Sequence, residues 1–202
     1  MLQTQTVVPE LVELLKKIMK EEIFSNYFLV GGTSLALQIG HRNSVDIDLF
    51  GKQEINHDLF FKLLNTFGKT EISKSSKNIL ITEVEGIKVD FVNYQYQLLE
   101  NPIEIDGIRM LSKKDIAAMK LNAITGRGSK KDFIDLYFLL QEFSLKQMIG
   151  FYNQKYFDGS EFLLYKSLNY FEEADIQPQP KVFKEFDWDE AKKYILGEVK
   201  KL

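Results

Sequence analysis

Two aspartates spaced two residues apart are the side chains of this sequence best placed to do chemistry. Asp46 and Asp48 alternate with the apolar residues Val45, Ile47 and Leu49. Such alternation predicts a β-strand from which both carboxylates leave on the same face. Carboxylate oxygens are ligands that Mg²⁺ prefers in proteins. The pair therefore indicates a divalent-metal site.

A glycine turn precedes this pair, after a short apolar run. Gly31 and Gly32 allow the backbone to turn tightly and to approach a ligand closely. A helix starting near Thr33 would point its free backbone amides at phosphate oxygens, and Thr33 and Ser34 would add hydroxyl donors. No Gly-Lys-Ser/Thr follows, so this is not a Walker loop. With the aspartates downstream, and Arg42 as a further phosphate contact, the turn predicts a site for a magnesium nucleotide.

A third carboxylate, Asp90, lies between Val89 and Phe91 in a β-favouring stretch. If its strand is a neighbour of the strand with Asp46 and Asp48, three carboxylates converge. Such a cluster can hold two metal ions, one on the triphosphate and one that activates the attacking hydroxyl. Asp90 is then the candidate to bind the second metal or to accept the hydroxyl proton. Mn²⁺ could replace Mg²⁺ in such a site.

The second half of the chain adds a lysine and two acids in helical patterns. Lys120 has apolar neighbours at helical spacing, Ile116 and Ile124, so its base is expected to be half-buried. A lysine there can reach a phosphate and neutralise charge that develops in the transition state. Asp132 and Asp135 share a helix face. Asp132 could cap its helix, whereas Asp135 lies too far into the helix for capping and is the better functional candidate.

A local basic strip lies in the same region, although the net charge of the chain is -3. It could hold the phosphates of an acceptor, or it could be an ordinary solvated face. Its seven members are Arg109, Lys113, Lys114, Lys120, Arg127, Lys130 and Lys131.

Composition excludes several classes of site. The chain has no Cys, so it has no disulfide and no thiolate ligand or nucleophile, and its two histidines disfavour a histidine-based zinc site. No apolar run approaches the roughly 20 residues that span a bilayer, and the N-terminus lacks a secretory signal pattern. We therefore expect a cytoplasmic protein with no membrane partner.

The hydrophobic patterns predict an α/β region over 1–111 and a helical region over 112–202. Strands are expected at 26–30, around Asp46 and Asp48, within 69–97 and at 103–111, with hairpin turns at Glu85-Gly86 and Asp106-Gly107. Helices are expected at 9–22, 33–39, 58–67, 113–125 and 130–142, with two more before 174 and a last one capped by Asp187. Ser112 and Ser129 resemble N-caps of the helices that follow them.

Four segments together resemble the AbiEii-type nucleotidyltransferase family, which includes toxins of type IV toxin–antitoxin systems. They are LVGGTSLAL, GHRNSVDIDLF, KVDFV and LSKKDIAAMKLNAITGRGSKKDFIDLYFLL, spread over about 28–140. Their order and spacing are specific in combination, whereas each alone is not.

This resemblance implies a polymerase-beta-like nucleotidyltransferase fold, with a mixed sheet flanked by helices and a helical C-terminal part. It implies transfer of a nucleoside monophosphate from a nucleoside triphosphate, with release of pyrophosphate. Some family members modify the acceptor end of tRNA, and such toxins usually have a cognate antitoxin. The resemblance also assigns residues: Asp46 and Asp48 to Mg²⁺, Gly32, Thr33 and Ser34 to the triphosphate, and Lys120 and Asp135 to nucleotide binding and catalysis.

One departure and three alternatives stay open at this stage. The wider superfamily often has Gly-Ser where this chain has Gly32-Thr33, so the serine that serves a phosphate would be Ser34. The same fold could be a non-catalytic module that binds a nucleotide or a partner, or it could modify a small molecule. An Asp-x-Asp glycosyltransferase fits less well, because that activity does not call for the glycine turn or for Asp90.

Overall fold

The computed structural model describes Met1–Leu202 and separates the chain into two compact units. The first unit consists of Met1–Gln95 and Pro102–Leu111, and the second of Tyr96–Asn101 and Ser112–Leu202. Every strand belongs to the first unit, while the second is built from helices. No helix in either unit combines the length and the apolar character that crossing a membrane requires.

The first unit contains three helices and seven strands. The helices are α1 (Pro9–Lys20), α2 (Gly31–Ile39) and α3 (His57–Leu64), with short 3₁₀ turns at Thr4–Thr6 and Glu22–Phe24. The strands are β1 (Tyr27–Leu29), β2 (Ile47–Gly51), β3 (Thr70–Ser76), β4 (Ile79–Val84), β5 (Ile87–Asn93), β6 (Ile103–Ile105) and β7 (Ile108–Met110). The expected helices at 9–22 and 58–67 are present but shorter, and the helix expected at 33–39 starts two residues earlier.

All seven strands form one sheet in the order β3-β4-β5-β2-β1-β7-β6. The β2–β5 and β1–β7 pairs are parallel, and the other pairs are antiparallel. The α/β class and the mixed sheet expected from the sequence are thereby confirmed. The parallel pairing of β2 with β5 matters most for function, because it joins two segments that are far apart in the chain.

One face of this sheet carries the apolar core of the unit. Leu49 of β2 and Phe91 of β5 are fully buried, and the Phe91 ring lies 4.9 Å from that of Phe24 and 5.2 Å from that of Phe60. Edge-on and tilted aromatic contacts of this kind stabilise a core beyond the burial of their area. Since successive strand residues point to opposite faces, the polar neighbours of these residues must point the other way.

Both predicted hairpin turns are present. Glu85 and Gly86 have φ values of 49° and 80°, and Asp106 and Gly107 have φ values of 53° and 78°. Two successive residues with positive φ are typical of the two-residue turns that match the twist of a β-hairpin. The turns therefore connect β4 to β5 and β6 to β7.

The second unit contains six helices. They are α4 (Lys113–Gly126), α5 (Lys130–Leu139), α6 (Leu145–Lys155), α7 (Glu161–Leu168), α8 (Glu172–Asp175) and α9 (Trp188–Val199). The Ser112 side chain accepts from the Asp115 amide and the Asp187 side chain accepts from the Glu190 amide, so both predicted caps are confirmed. Ser129 occupies the N-cap position of α5, as predicted, but its side chain accepts no capping bond from the helix.

A fully buried ion pair fastens the segment 96–101 to the helices of this unit. Lys155 Nζ on α6 lies 2.7 Å from Asp115 Oδ1 on α4, and both side chains are completely inaccessible. The ammonium also donates to the Gln97 carbonyl at 2.8 Å, while the carboxylate accepts from the Leu99 amide at 2.9 Å and from the Ser112 hydroxyl at 2.8 Å. A buried charge pair is tolerated when further hydrogen bonds satisfy both ions, as they do here.

We expect Lys155→Met to lower the free energy of unfolding by about 3 kcal/mol, because it leaves the Asp115 carboxylate buried without its cation. Urea denaturation followed by circular dichroism measures the change. The control is Lys193→Met, which removes an exposed pair with Glu190 and is expected to leave stability nearly unchanged. Equal effects of the two substitutions would contradict this account.

Candidate functional site

Three carboxylates lie on the sheet face opposite the core. The parallel register of β2 and β5 places Asp48 directly beside Asp90. Asp46 precedes Asp48 by two residues, and the intervening Ile47 is fully buried on the core face. A period of two therefore directs all three carboxylates to one side. The expected pairing of the two strands is thus present for Asp48 and Asp90, and we call Asp46, Asp48 and Asp90 the carboxylate cluster.

The cluster has the donor chemistry that a divalent cation needs. Asp90 Oδ1 is buried and has no hydrogen-bond partner, which is rare for a carboxylate oxygen. No three acidic or histidine side chains of the chain lie in an arrangement that could hold a metal ion by themselves. Mg²⁺ usually takes one or two carboxylates and completes its shell with water and substrate phosphates. The residues present thus fit a cation that binds together with a phosphate ligand.

Lys88 is a member of this site that sequence reasoning missed. Its Nζ lies 2.5 Å from Asp90 Oδ2, and its side chain is 44% exposed. Burial works against its charge, but the hydrogen bond to Asp90 and the negative charges of Asp90, Asp48 and Asp46 outweigh burial and raise the pKa of Lys88. The available signal was its spacing in Lys88-Val89-Asp90, which places lysine and aspartate on one face of a strand.

Gly31 is shaped by its contact with the cluster. It has a φ of +68°, in the left-handed region, and a Cβ at this position would collide with Asp48 Oδ2. Both the backbone conformation and the close approach of the carboxylate require glycine. Gly31 is also the first residue of α2, so the Asp48 carboxylate lies against the N-terminus of that helix.

Gly32 makes room for a buried arginine. A Cβ on Gly32 would collide with Arg42 Nη2, while Arg42 Nη1 donates to the Asn43 carbonyl at 2.8 Å. The arginine is 3% exposed. No side chain caps the N-terminus of α2. Free backbone amides and a guanidinium at one helix start favour an anion such as phosphate.

The hydroxyls of Thr33 and Ser34 have partners within the protein. The Thr33 hydroxyl contacts Ser44 Oγ at 2.8 Å and donates to the Asp46 carbonyl. The Ser34 hydroxyl accepts from the Gln38 side chain at 3.1 Å. Thr33 and Ser34 are both fully buried. The Thr33 bonds fasten the first turn of α2 to the segment that carries Asp46, whereas the Ser34 bond lies within the helix. In this structure the hydroxyls position the turn, and its backbone amides are the donors available to a phosphate.

The candidates of the second unit form a buried ionic network between α4 and α5. Lys120 Nζ lies 3.0 Å from Asp132 Oδ1 and 2.5 Å from Asp135 Oδ2. The lysine side chain is 5% exposed and the two carboxylates are fully buried. Arg127 adds a bidentate contact to Asp132, with distances of 2.8 and 3.0 Å. The two carboxylates allow Lys120 to be buried among apolar neighbours such as Ile116 and Ile124.

Asp132 is held by cations instead of capping α5. The Ser129 hydroxyl donates to Asp132 Oδ2 at 2.5 Å, which is the reverse of the capping role expected for this serine. Burial disfavours ionisation of Asp132, but the charges of Lys120 and Arg127 and their hydrogen bonds outweigh burial and hold its pKa below the ordinary 3.8. Its charged form therefore contributes to stability at neutral pH.

Most residues of the basic strip form ion pairs or hydrogen bonds with other residues of the protein. Arg109 donates to the backbone carbonyls of Met19 and Phe24, at 2.8 and 3.0 Å, and so holds the chain after α1. The other engaged members and their partners are Lys113 with Glu142, Lys114 with Glu100, Lys120 with Asp132 and Asp135, Arg127 with Asp132, and Lys130 with the Asp175 carbonyl. These contacts support structural roles for the strip more than a continuous nucleic-acid surface.

We expect Gly31→Ala to destabilise the protein by about 1–3 kcal/mol more than Gly86→Ala does. Both substitutions place a side chain at positive φ, which costs about 1–2 kcal/mol. Only the alanine at position 31 meets a neighbour, because a Cβ on Gly86 has no atom within 4 Å. Urea titrations of the two variants measure the difference, and equal losses would contradict the contact with Asp48.

The Asp132 network predicts a pH dependence of stability. Because the pKa of Asp132 is lowered on folding, its contribution is complete well above pH 3.8 and is lost as the pH falls below that value. The stability difference between the parent and Asp132→Asn should therefore be large at pH 6 and shrink towards pH 3. Urea titrations across this range measure it. A difference that stays constant would exclude an ionised, paired Asp132.

Comparison with known proteins identifies the family. The model of the nucleotidyl transferase AbiEii toxin family, type IV toxin–antitoxin system, matches residues 13–201. An uncharacterised protein of Aquifex aeolicus is 37% identical over 195 residues, which cover 91% of this chain and 95% of that protein.

Solved structures share the fold at low sequence identity. MenT4, a nucleotidyltransferase toxin from Mycobacterium tuberculosis H37Rv, has a TM-score of 0.60 and 12% identity over 96% of this chain and 83% of its own. JHP933 from Helicobacter pylori has a TM-score of 0.59 and 16% identity over 95% of this chain and 88% of its own. The family match over nearly the whole chain and the shared fold lead to one conclusion: this protein is a nucleotidyltransferase that belongs to the AbiEii toxin family of type IV toxin–antitoxin systems.

Proposed function

We propose that this protein transfers a nucleoside monophosphate from a nucleoside triphosphate to an acceptor hydroxyl, with Mg²⁺ held by Asp46, Asp48 and Asp90. The observation that carries the proposal is the register of β2 and β5, which sets Asp48 beside Asp90 next to the start of α2. The unpartnered, buried Asp90 Oδ1 supports a role as a cation ligand. Family membership supports the class of reaction.

The first turn of α2 is the proposed grip on the triphosphate. Its uncapped amides from Gly31 to Thr33 carry the positive end of the helix dipole, and the buried Arg42 guanidinium lies against Gly32. Thr33 and Ser34 hold this turn in place through their hydroxyl bonds. The grip therefore depends on backbone donors whose directions are fixed before the nucleotide binds, which reduces the loss of entropy on binding.

The carboxylate cluster is the proposed centre of the reaction. Divalent cations bound there would neutralise charge on the phosphate oxygens and lower the pKa of the attacking hydroxyl. Asp90, the carboxylate with a free oxygen, is the proposed acceptor of the hydroxyl proton or ligand of a second cation. Asp46 and Asp48 are the proposed ligands shared with the triphosphate.

Lys120 and Asp135 keep their proposed roles in nucleotide binding and catalysis. The ion pairs described above hold the Lys120 ammonium in one position between Asp132 and Asp135. A lysine fixed in this way can present its charge to a phosphate without first losing side-chain freedom. Asp135 is then a residue that positions Lys120, and its effect on the reaction is exerted through that lysine.

The proposed acceptor is RNA, with tRNA first, and the proposed protein partner is a cognate antitoxin. Both proposals rest on membership of a toxin family of type IV toxin–antitoxin systems. The pairing of most of the basic strip within the second unit means that charge alone does not identify the acceptor.

The test is to incubate the purified protein with each α-labelled nucleoside triphosphate, Mg²⁺ and total tRNA, and to follow label in RNA and release of pyrophosphate. We expect transfer that chelation of the metal abolishes. Asp48→Asn should lower the rate by at least about 100-fold, since loss even of outer-shell partners of a metal costs 10- to 100-fold. Glu104→Gln is the control, because this exposed acid lies on the edge strand β6.

The outcomes separate the alternatives. Transfer by Asp48→Asn at the parent rate would refute the proposed site. Binding of a triphosphate without transfer to tRNA, protein or small alcohols would favour the non-catalytic module. Label in a small molecule, with none in RNA, would keep the reaction and replace the acceptor.

A further inference from the structure

Lys88 contacts the carboxylate cluster from the same sheet. Its Nζ contacts Asp90 Oδ2 at 2.5 Å, along the strand β5 that carries both residues. The parallel register pairs Ile47 with Val89 and Asp48 with Asp90, and the negative charges of Asp46 and Asp48 also act on Lys88. The ammonium thus lies among three carboxylates.

Two acidic side chains, Asp90 and Glu83, are within reach of Lys88, and the structure pairs the lysine with Asp90. Glu83 lies directly opposite Lys88 on the antiparallel neighbour β4, and directly opposed residues share a sheet face. Glu83 is exposed, whereas Asp90 is partly buried beside two further negative charges. An ammonium gains more from a cluster of three carboxylates in a drier place than from one carboxylate in water. The contact with Asp90 follows from that difference.

We propose that Lys88 is a further residue of the nucleotidyl-transfer site, which pairs with the Asp90 carboxylate until a divalent cation displaces it. The inference rests on the proposed function, because it takes the carboxylate cluster as the metal site. Asp90 has one oxygen bound to the ammonium and one oxygen without a partner. A cation that binds both oxygens must displace the ammonium, for which Glu83 is the nearest alternative partner by register.

This competition has a consequence for the order of binding. With Lys88 in place, the negative charge of the cluster is partly neutralised, so a free divalent cation gains less on binding. A triphosphate brings negative charge of its own and carries a cation with it. Lys88 is therefore expected to make metal binding weak in the absence of a nucleotide and to couple the two ligands.

The test measures Mn²⁺ binding to the whole protein without nucleotide, by electron paramagnetic resonance of the free ion. We expect Lys88→Met to lower the Kd for Mn²⁺ by about fivefold or more, from the loss of one partly buried ion pair. Lys88→Arg should retain the parent Kd. Lys88→Gln is a second neutral variant, and it should follow Lys88→Met.

Lys69→Met is the matched control. Lys69 also precedes its partner by two residues, with Nζ 2.7 Å from Glu71, but both side chains are exposed. The two methionine variants change the net charge equally, but only Lys88 contacts the carboxylate cluster. Only Lys88→Met should therefore tighten Mn²⁺ binding. Circular dichroism of each variant verifies the fold.

The outcomes distinguish this inference from the proposed function. If Lys88→Met and Lys88→Gln bind Mn²⁺ no better than the parent, while Asp48→Asn loses Mn²⁺ binding, the role of Lys88 is wrong and the metal site stands. If neither the parent nor any variant binds Mn²⁺ and no transfer is detected, the proposed function fails and the role of Lys88 fails with it.

Discussion

The parallel register of β2 and β5 is the constraint on which the first unit depends. It sets Asp48 beside Asp90, so two carboxylates share a small part of one sheet face. The same period of two places Leu49 and Phe91 on the opposite face, in the aromatic core. A slip of one residue would exchange the two sets, with acids in the core and apolar side chains in water. The burial of the core therefore enforces the geometry of the carboxylate cluster.

In the second unit, charge fastens the helices together. Lys155 with Asp115 joins α4, α6 and the segment 96–101, while Lys120 with Asp132 and Asp135 joins α4 to α5. Buried ion pairs add little net stability over an apolar core, but loss of one partner is strongly destabilising. The buried ion pairs thus fix the geometry of the helices more than they add to the stability of the protein. These ion pairs therefore determine which helices meet and in what orientation.

Local signals predicted the parts of the structure that depend on local chemistry. Alternation around Asp46 and Asp48 identified β2, and the glycine at 86 and the glycine at 107 identified both hairpin turns. The start of α2 was misplaced because Gly31, at a φ of +68°, reads as a turn although it is the first residue of the helix.

Properties that depend on contacts between distant segments could not be read from the sequence. The sequence showed that the carboxylates would meet only if β2 and β5 were neighbours, but it did not show that they are. Strand order is set by the packing of the whole sheet. Ser129 occupies the predicted N-cap position, but its hydroxyl donates to the Asp132 carboxylate and accepts no bond from the helix amides. Lys88 was overlooked because its partner becomes important only when Asp48 and Asp90 are neighbours.

The negative charge of the carboxylate cluster accounts for two features next to it, the glycine at position 31 and the N-terminus of α2. Gly31 removes the steric conflict, since no other residue would let Asp48 approach the start of α2 so closely. The positive end of α2 favours that carboxylate, and it equally favours a phosphate. A triphosphate gripped at this turn would bring its charge next to Asp48, and two anions so close repel each other unless a cation lies between them. The Lys88 ammonium contacts the cluster, but it has one charge and is tethered to β5. Under the proposed function, a divalent cation between the carboxylates and the triphosphate would remove this repulsion, so each of the two ligands would favour binding of the other.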